Sequence, residues 1–277
     1  MSSRNTFSHF ALALGGGGAR GFAHIIVLEV LDDLGIKPDV ISGSSIGSIM
    51  AVCYAGGMQG KEIRSFFINL SKQKTHLLTT LASARIGRIR DVINFANPLM
   101  IDGKKLLDIF WPQQVPKFFE NLSIPVRLTV TDFYASKSVI IEQGDLLPAV
   151  AASIAIPGIF APVLIKNRYY IDGGILSPVP FDIFMKTAPV LAVDVVGTPQ
   201  AHKNEQPAGI QILSGSIQLM QNAITSEKLK SHPPAIYIHP PIHDFSIMDF
   251  LKVEQILEAS ETIKDDLKRE IEEKLFS

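Results

Sequence analysis

A chain of 277 residues with 47% hydrophobic and 19% charged residues has the composition of a globular protein and the length to bury a substantial core, which excludes an intrinsically disordered chain. A net charge of −1 gives no electrostatic case for nucleic acid. The single cysteine, Cys53, excludes an intrachain disulfide and any cysteine-based zinc site, and in an apolar helical setting it reads as a small core residue.

The first nine residues are short and polar, and Phe10-Ala11-Leu12-Ala13-Leu14 is too brief for the apolar core of a signal peptide. No glycine follows Met1, so the start carries no myristoylation signal. The five-residue apolar run ends in glycines, as a buried parallel strand does. After Gly15 to Gly18, residues 22–34 place Ile26, Val27, Val30, Leu31 and Leu34 at helical spacing and stop at Gly35. Residues 38–41 read as the next strand and residues 46–55 as a helix ending at Gly56-Gly57. Strand, glycine loop, helix, strand, turn, helix is the alternation of an α/β protein with a parallel sheet covered by helices.

Residues 61–70 predict another helix. Residues 72–100 are irregular and partly amphipathic, and across 61–100 seven Lys or Arg face only Glu62 and Asp91. Residues 102–110 predict a helix capped by Asp102 or Asn97. Strands follow at 126–132 and 138–142, a helix at 146–154 with Asp145 as its cap, and a hairpin at 163–171. The uncharged stretch 146–165 has the length of a membrane span, but Pro148, Pro157, Gly158 and Pro162 favour a buried helix that ends before Pro157. Residues 189–196 read as a Val-rich strand, 206–229 as containing a helix, and 235–239 as a last strand. A final helix from 249 to 275 carries Ile256, Ile263, Leu267, Ile271 and Leu275 as its apolar stripe. No repeat or clear linker divides the chain, so the expectation is one domain over 1–277, in the cytoplasm, with the motifs confined to 10–197.

Two of these turns carry chemistry. Gly43-Ser44-Ser45-Ile46-Gly47 is a Gly-x-Ser-x-Gly pattern where a strand gives way to a helix, the setting that exposes a serine on a sharp turn. Alone it is weak, because about a tenth of a chance match is expected in a chain this long. Gly16-x-Gly18-x-x-Gly21 also fits a dinucleotide fingerprint, yet the acid required at the end of the next strand is missing: Asp39 stands at its start, and the end is Ser42-Gly43. What the loop offers is backbone N–H groups beside the serine turn, where acyl transfer develops an oxyanion.

A serine needs a base. His24 sits one turn into the first helix and reads as packing. His9, His76, His202 and His232 have no supporting context, and His239 or His243, after a late strand, are the best histidines. Asp172 is the other candidate, at the end of a strand-like run and followed by Gly173-Gly174, although Asp-Gly by itself is usually only a turn. Asp194, inside an apolar strand, reads as a structural partner.

Three blocks in this order resemble the bacterial patatin-like phospholipases, relatives of the catalytic domain of neuropathy target esterase. Gly16-Gly17-Gly18-Ala19-Arg20-Gly21 is similar to the family's oxyanion loop, Gly43-Ser44-Ser45-Ile46-Gly47 to its nucleophile elbow, and Asp172-Gly173-Gly174 to its base motif. A softer match, residues 152–162, resembles the segment before the aspartate. The resemblance implies a three-layer fold with a central, mostly parallel sheet flanked by helices. It also implies a Ser45–Asp172 dyad with no histidine, an oxyanion held by the N–H groups of Gly17, Gly18 and Ala19, and catalysis without a metal or cofactor.

The activity implied is that of a carboxylic ester hydrolase acting on phospholipid or lysophospholipid through an acyl-enzyme. The basic segment 61–100, with Ile86, Ile89, Val92, Ile93 and Phe95 among its arginines, is then a candidate lid or site of peripheral membrane contact. The bland alternative is a solvated helix face with an ordinary core side. Competing functions are hydrolysis or transacylation of other esters or thioesters, a nucleotide-binding oxidoreductase, and a non-catalytic regulator on the same fold.

Overall fold

The computed structural model describes residues 9–72, 100–184, 186–199 and 209–276. In chain order the elements are β1 (Ala11–Leu14), α1 (His24–Asp33), β2 (Val40–Ser44), α2 (Ile46–Ala55) and α3 (Gly60–Lys72). After the undescribed stretch come α4 (Gly103–Phe110), β3 (Val126–Asp132), β4 (Lys137–Ile141), α5 (Leu146–Ser153), β5 (Val163–Ile165), β6 (Arg168–Asp172) and β7 (Val190–Val193). The chain closes with α6 (Ile210–Ser231), β8 (Ile236–Ile238), α7 (Val253–Ser260) and α8 (Lys264–Leu275).

One mixed sheet of eight strands in the order β5-β6-β3-β2-β1-β7-β8, with β4 also paired to β3, organises the molecule. Strands β3, β2, β1, β7 and β8 run parallel, and β4, β5 and β6 run antiparallel to their neighbours. β1 lies in the middle, wholly buried, because a parallel strand covered on both faces has no solvent side. Alternation sorts its side chains. Leu12 and Leu14 join the main core with the helices, while Ala11 and Ala13 face a smaller cluster built by Val179, Phe181, Phe184, Val190 and Ala192. Small residues on that face let the segment 179–184 lie directly on the sheet.

Pairing along β3 determines the site. β4 occupies one edge of β3 over Leu128 to Asp132. The opposite edge is shared: β2 takes it as far as Ser44↔Thr129, and β6 takes it from Val130↔Asp172 onward, running the other way. The carboxyl ends of β2 and β6 therefore meet head to head.

Two expectations need correction. The final helix is not continuous from 249: Asp249 accepts the Ser246 N–H at 2.8 Å in a turn, α7 starts at Val253, and a 3-10 turn at Glu261–Ile263 separates it from α8. The break follows Ser260, whose buried hydroxyl bonds back to the Ile256 carbonyl at 2.7 Å, a contact that bends helices. Asp145 sits at the N-cap of α5 but makes no capping bond, whereas Asp102 accepts the Lys105 N–H at 3.2 Å as expected of a cap. Asn97, the other cap candidate, and residues 73–99 of the basic segment lie outside the described residues. Among the described residues no helix is long and apolar enough to cross a membrane.

Candidate active site

Ser45 stands between β2 and α2 with φ 52° and ψ −125°, a conformation that costs a non-glycine residue roughly 1–3 kcal/mol. Its neighbours over-determine it. The Ser45 N–H donates to Ser153 Oγ at 3.0 Å, and that hydroxyl donates onward to the Thr129 carbonyl at 2.9 Å. The Ser45 carbonyl accepts from the Ser48 N–H at 2.8 Å and from Ser48 Oγ at 2.6 Å. Gly47 is required by contact: a Cβ there would lie 2.2 Å from the Leu14 carbonyl oxygen, so α2 can leave the turn only over a bare backbone. Gly43 packs in the same way on the backbone of Gly47 and Ser48.

Because β6 ends against β2, Asp172 reaches Ser45. Ser45 Oγ donates to Asp172 Oδ2 at 2.6 Å, and the Gly174 N–H donates to Oδ1 at 2.6 Å. The Asp172 backbone is pinned by its N–H on the Ala155 carbonyl at 3.0 Å and by Thr131 Oγ1 on its own carbonyl at 2.9 Å. Gly173 lies against the Thr129 carbonyl. Burial pushes the Asp172 carboxyl up to about 7, against the opposing pull of the bonds from Ser45 and Gly174. A carboxylate titrating near neutrality and bonded to a hydroxyl can exchange a proton with it.

The glycine loop passes on the other side of Ser45. The Gly15 and Gly16 N–H groups donate to the Val193 and Pro178 carbonyls, each at 2.9 Å. The Ala19 N–H, expected to face the oxyanion, donates instead to the Ile247 carbonyl at 2.9 Å. The N–H groups of Gly17 and Gly18 have no acceptor among the described residues, and both glycines line the cleft over Ser45. Gly18 has φ +60°, and a Cβ on it would stand 2.4 Å from the Ile247 carbonyl oxygen. Gly21 packs on Ile46, joining the loop to α2. Arg20 points away from the cleft. It donates through Nε to the Phe245 carbonyl at 2.7 Å and through its guanidinium to the Val196 carbonyl, bracing the loop against two other segments.

His24 supports the same loop from behind: its Nε2 bonds the Gly15 carbonyl at 2.8 Å, and burial lowers its pKa to about 4, so the ring is neutral and Nε2 carries the proton. His239 and His243 stack on each other at 5.0 Å, with His239 Nδ1 3.9 Å from Asp194 Oδ2. Asp194 also accepts the Val196 N–H at 2.8 Å and the Tyr237 hydroxyl. No histidine bonds Ser45 among the described residues.

A cleft lies above Ser45 and opens to solvent. Ile156, Ile175, Leu213, Ile217 and Ile247 make its walls apolar, with Gln218 and Gln221 of α6 among them. Several of these residues carried no motif. Ser153 had one usable signal, its place in the 152–162 block; Ile247 and the α6 residues had none.

A glycine loop, a strained serine turn and a strand-end aspartate gathered at one end of a mostly parallel sheet define an α/β protein of the serine-elbow class. Residues 12–185 match the family described as patatin-like phospholipase, and the chain belongs to that family. It is 35% identical over 199 residues to an uncharacterised NTE family protein of Mycobacterium tuberculosis, covering 72% of this chain and 50% of the relative. It is 28% identical over 287 residues to human patatin-like phospholipase domain-containing protein 6, covering 92% of this chain and 20% of that protein. The chain thus spans half the length of the first and a fifth of the second. Among solved structures it is similar to VipD from Legionella pneumophila, at 15% identity and TM-score 0.49 over 95% of this chain and 67% of that one. It is similar also to ExoU of Pseudomonas aeruginosa in complex with SpcU, at 16% identity and TM-score 0.48 over 98% and 53%.

Proposed function

We propose that this chain hydrolyses acyl esters of lipids, phospholipid or lysophospholipid, with Ser45 as nucleophile and Asp172 as base. The observation that carries the reading is the 2.6 Å bond from Ser45 Oγ to Asp172 Oδ2 at the floor of an apolar cleft. Ionised Asp172 takes the Ser45 proton as Oγ attacks the ester carbonyl. Negative charge moves to the carbonyl oxygen, which the free N–H groups of Gly17 and Gly18 stabilise. When the tetrahedral species collapses, the alcohol leaves with the proton from Asp172, and the acyl group stays on Ser45. A water then gives its proton to Asp172 and attacks the acyl carbon. Ser45 departs, recovers the proton, and the fatty acid is released. An apolar wall suits an acyl chain and gives a charged small molecule little to bind.

We read the working unit as one domain over 1–277, with the motif-bearing core in 10–197, completed by α6 and the 235–275 segment, and with 61–100 as its candidate membrane contact. The test is labelling by a fluorophosphonate probe, which reports an activated serine directly. Wild type is labelled, while Ser45→Ala and Asp172→Asn lose the label. Strong labelling that survives Ser45→Ala sinks the assignment. Turnover of lipid esters that is indifferent to anionic vesicles and to salt rules out the membrane role of 61–100.

A further inference from the structure

Helix α6 is built inside out. Ser214, Gln218, Gln221, Thr225 and Lys228 recur at steps of three and four and form one stripe, of which Gln218 and Thr225 are buried. Leu219 and Met220 on the opposite face are 61% and 58% exposed. Thr225 Oγ1 is buried with no partner among the described residues, so the hydrogen bonds that hold this stripe come from Gln221 and Lys228. Three such bonds reach the stretch that follows Asp172. Lys228 Nζ donates to Asp182 Oδ1 at 2.8 Å and to Ser177 Oγ at 3.2 Å, and Gln221 Nε2 donates to the Gly174 carbonyl at 3.0 Å.

The Gln221 bond bears on the site, because Gly174 is the residue whose N–H donates to Asp172 Oδ1. Gln221 Nε2 and Asp172 Oδ1 crowd the same point, 2.8 Å and 2.9 Å from where a Cβ on Gly174 would stand. Only the amide NH₂ can donate to a carbonyl, so the bond also fixes which way the Gln221 amide faces. We infer that Gln221 is a positioning residue for Asp172: by holding the Gly174 carbonyl it keeps the Gly174 N–H on the carboxylate. The inference rests on the proposed function, in which Asp172 is the base.

The charges on the elements around Asp172 are engaged elsewhere. Asp132 pairs with Arg168, Arg127 with Glu142, Lys228 with Asp182 and Glu227 with Lys230. Arg20 is bonded to the Phe245 and Val196 carbonyls, and neutral His24 to the Gly15 carbonyl. The groups bonded to Asp172 are Ser45, Thr131, Ala155 and Gly174, none of them charged. Burial and the bonds from Ser45 and Gly174 account for its shift, with no charged neighbour contributing. Loosening Gly174 should therefore register directly in the protonation of Asp172.

The test is the rate of fluorophosphonate labelling against pH for wild type, Ser45→Ala, Gln221→Leu, Gln221→Glu and Gln221→Asn. Wild type rises with a midpoint near 7, where Asp172 ionises. In Gln221→Leu the carboxylate loses a well-held donor and the midpoint moves up by about one pH unit, with the rate recovering at high pH. Gln221→Glu moves it further, because a second negative charge disfavours ionised Asp172. Gln221→Asn keeps a donor on a shorter arm and falls between wild type and Leu; it stands in for Leu if that variant does not fold. Midpoints unchanged in all three, with only uniform slowing, overturn the inference and make Gln221 a packing or substrate-contact residue. Labelled Ser45→Ala, or a wild-type rate flat with pH, overturns the underlying reading instead.

Discussion

Ser45 holds a backbone conformation that few residues adopt, and the strain persists because two hydroxyl groups and one carboxylate surround it. Ser153 is the least conspicuous of these and the most informative to change. Its Oγ accepts the buried Ser45 N–H and donates to Thr129, so it ties the elbow to the neighbouring strand. Ser153→Ala leaves that N–H without an acceptor in a site too enclosed for water to replace it readily. The expected cost is about 1–3 kcal/mol of stability, together with slower labelling of Ser45 as the turn relaxes. Urea unfolding beside the labelling rate checks both. A variant as stable and as reactive as wild type would mean that the turn is held by its glycines alone. Cys53, by contrast, has no chemistry to lose, since burial drives its thiol up to about 12.

At the scale of elements, the site exists because two strands end against each other on one edge of β3. How much of this was legible depends on how local each piece is. The first strand, the glycine loop, the helix and the serine turn were readable because each is encoded by residues within a few positions of one another. Asp172 lies 127 residues from Ser45, and nothing local says that β6 will stop where β2 stops; a family resemblance was needed to choose it over a histidine. Ile247 was invisible for another reason. It meets the glycine loop through a backbone carbonyl, which every residue possesses. The α6 stripe was hidden by expectation, because a polar inner face defeats a search for apolar periodicity. Where the local code is strict, a small change should be expensive. Gly47→Ala places a methyl 2.2 Å from the Leu14 carbonyl oxygen, which belongs to the central strand and cannot retreat. Denaturant unfolding should show a loss of about 3 kcal/mol or failure to fold. A loss below about 1 kcal/mol would mean that α2 can shift without disturbing β1.

For the whole molecule, the site's two buried titratable groups pull stability in opposite directions over nearly the same pH range. His24 has its pKa lowered from 6.5 to about 4, so the unfolded chain binds the extra proton between those values and stability rises with pH across that window. Asp172 has its pKa raised from 3.8 to about 7, so the folded protein binds the extra proton. Its contribution is fully present below 3.8 and is lost as pH rises through 7. Wild type should therefore show a shallow pH dependence at mildly acidic pH that conceals two larger effects. Asp172→Asn removes one of them. The asparagine can still accept from Gly174 and meet the Ser45 hydroxyl, but it never carries the buried charge. Its stability relative to wild type should grow steadily from pH 4 to pH 7 and then level off, at about 1.4 kcal/mol for each unit of the raised pKa. Chemical denaturation of both proteins at pH 4 and pH 8 reads this difference. If the variant is more stable at pH 8 by several kcal/mol but close to wild type near pH 4, the folded protein maintains an ionised Asp172 at a cost to its own stability. A difference that does not change with pH would show that Asp172 is ionised as easily in the fold as in the unfolded chain, and its suitability as a base near neutrality would fall with it.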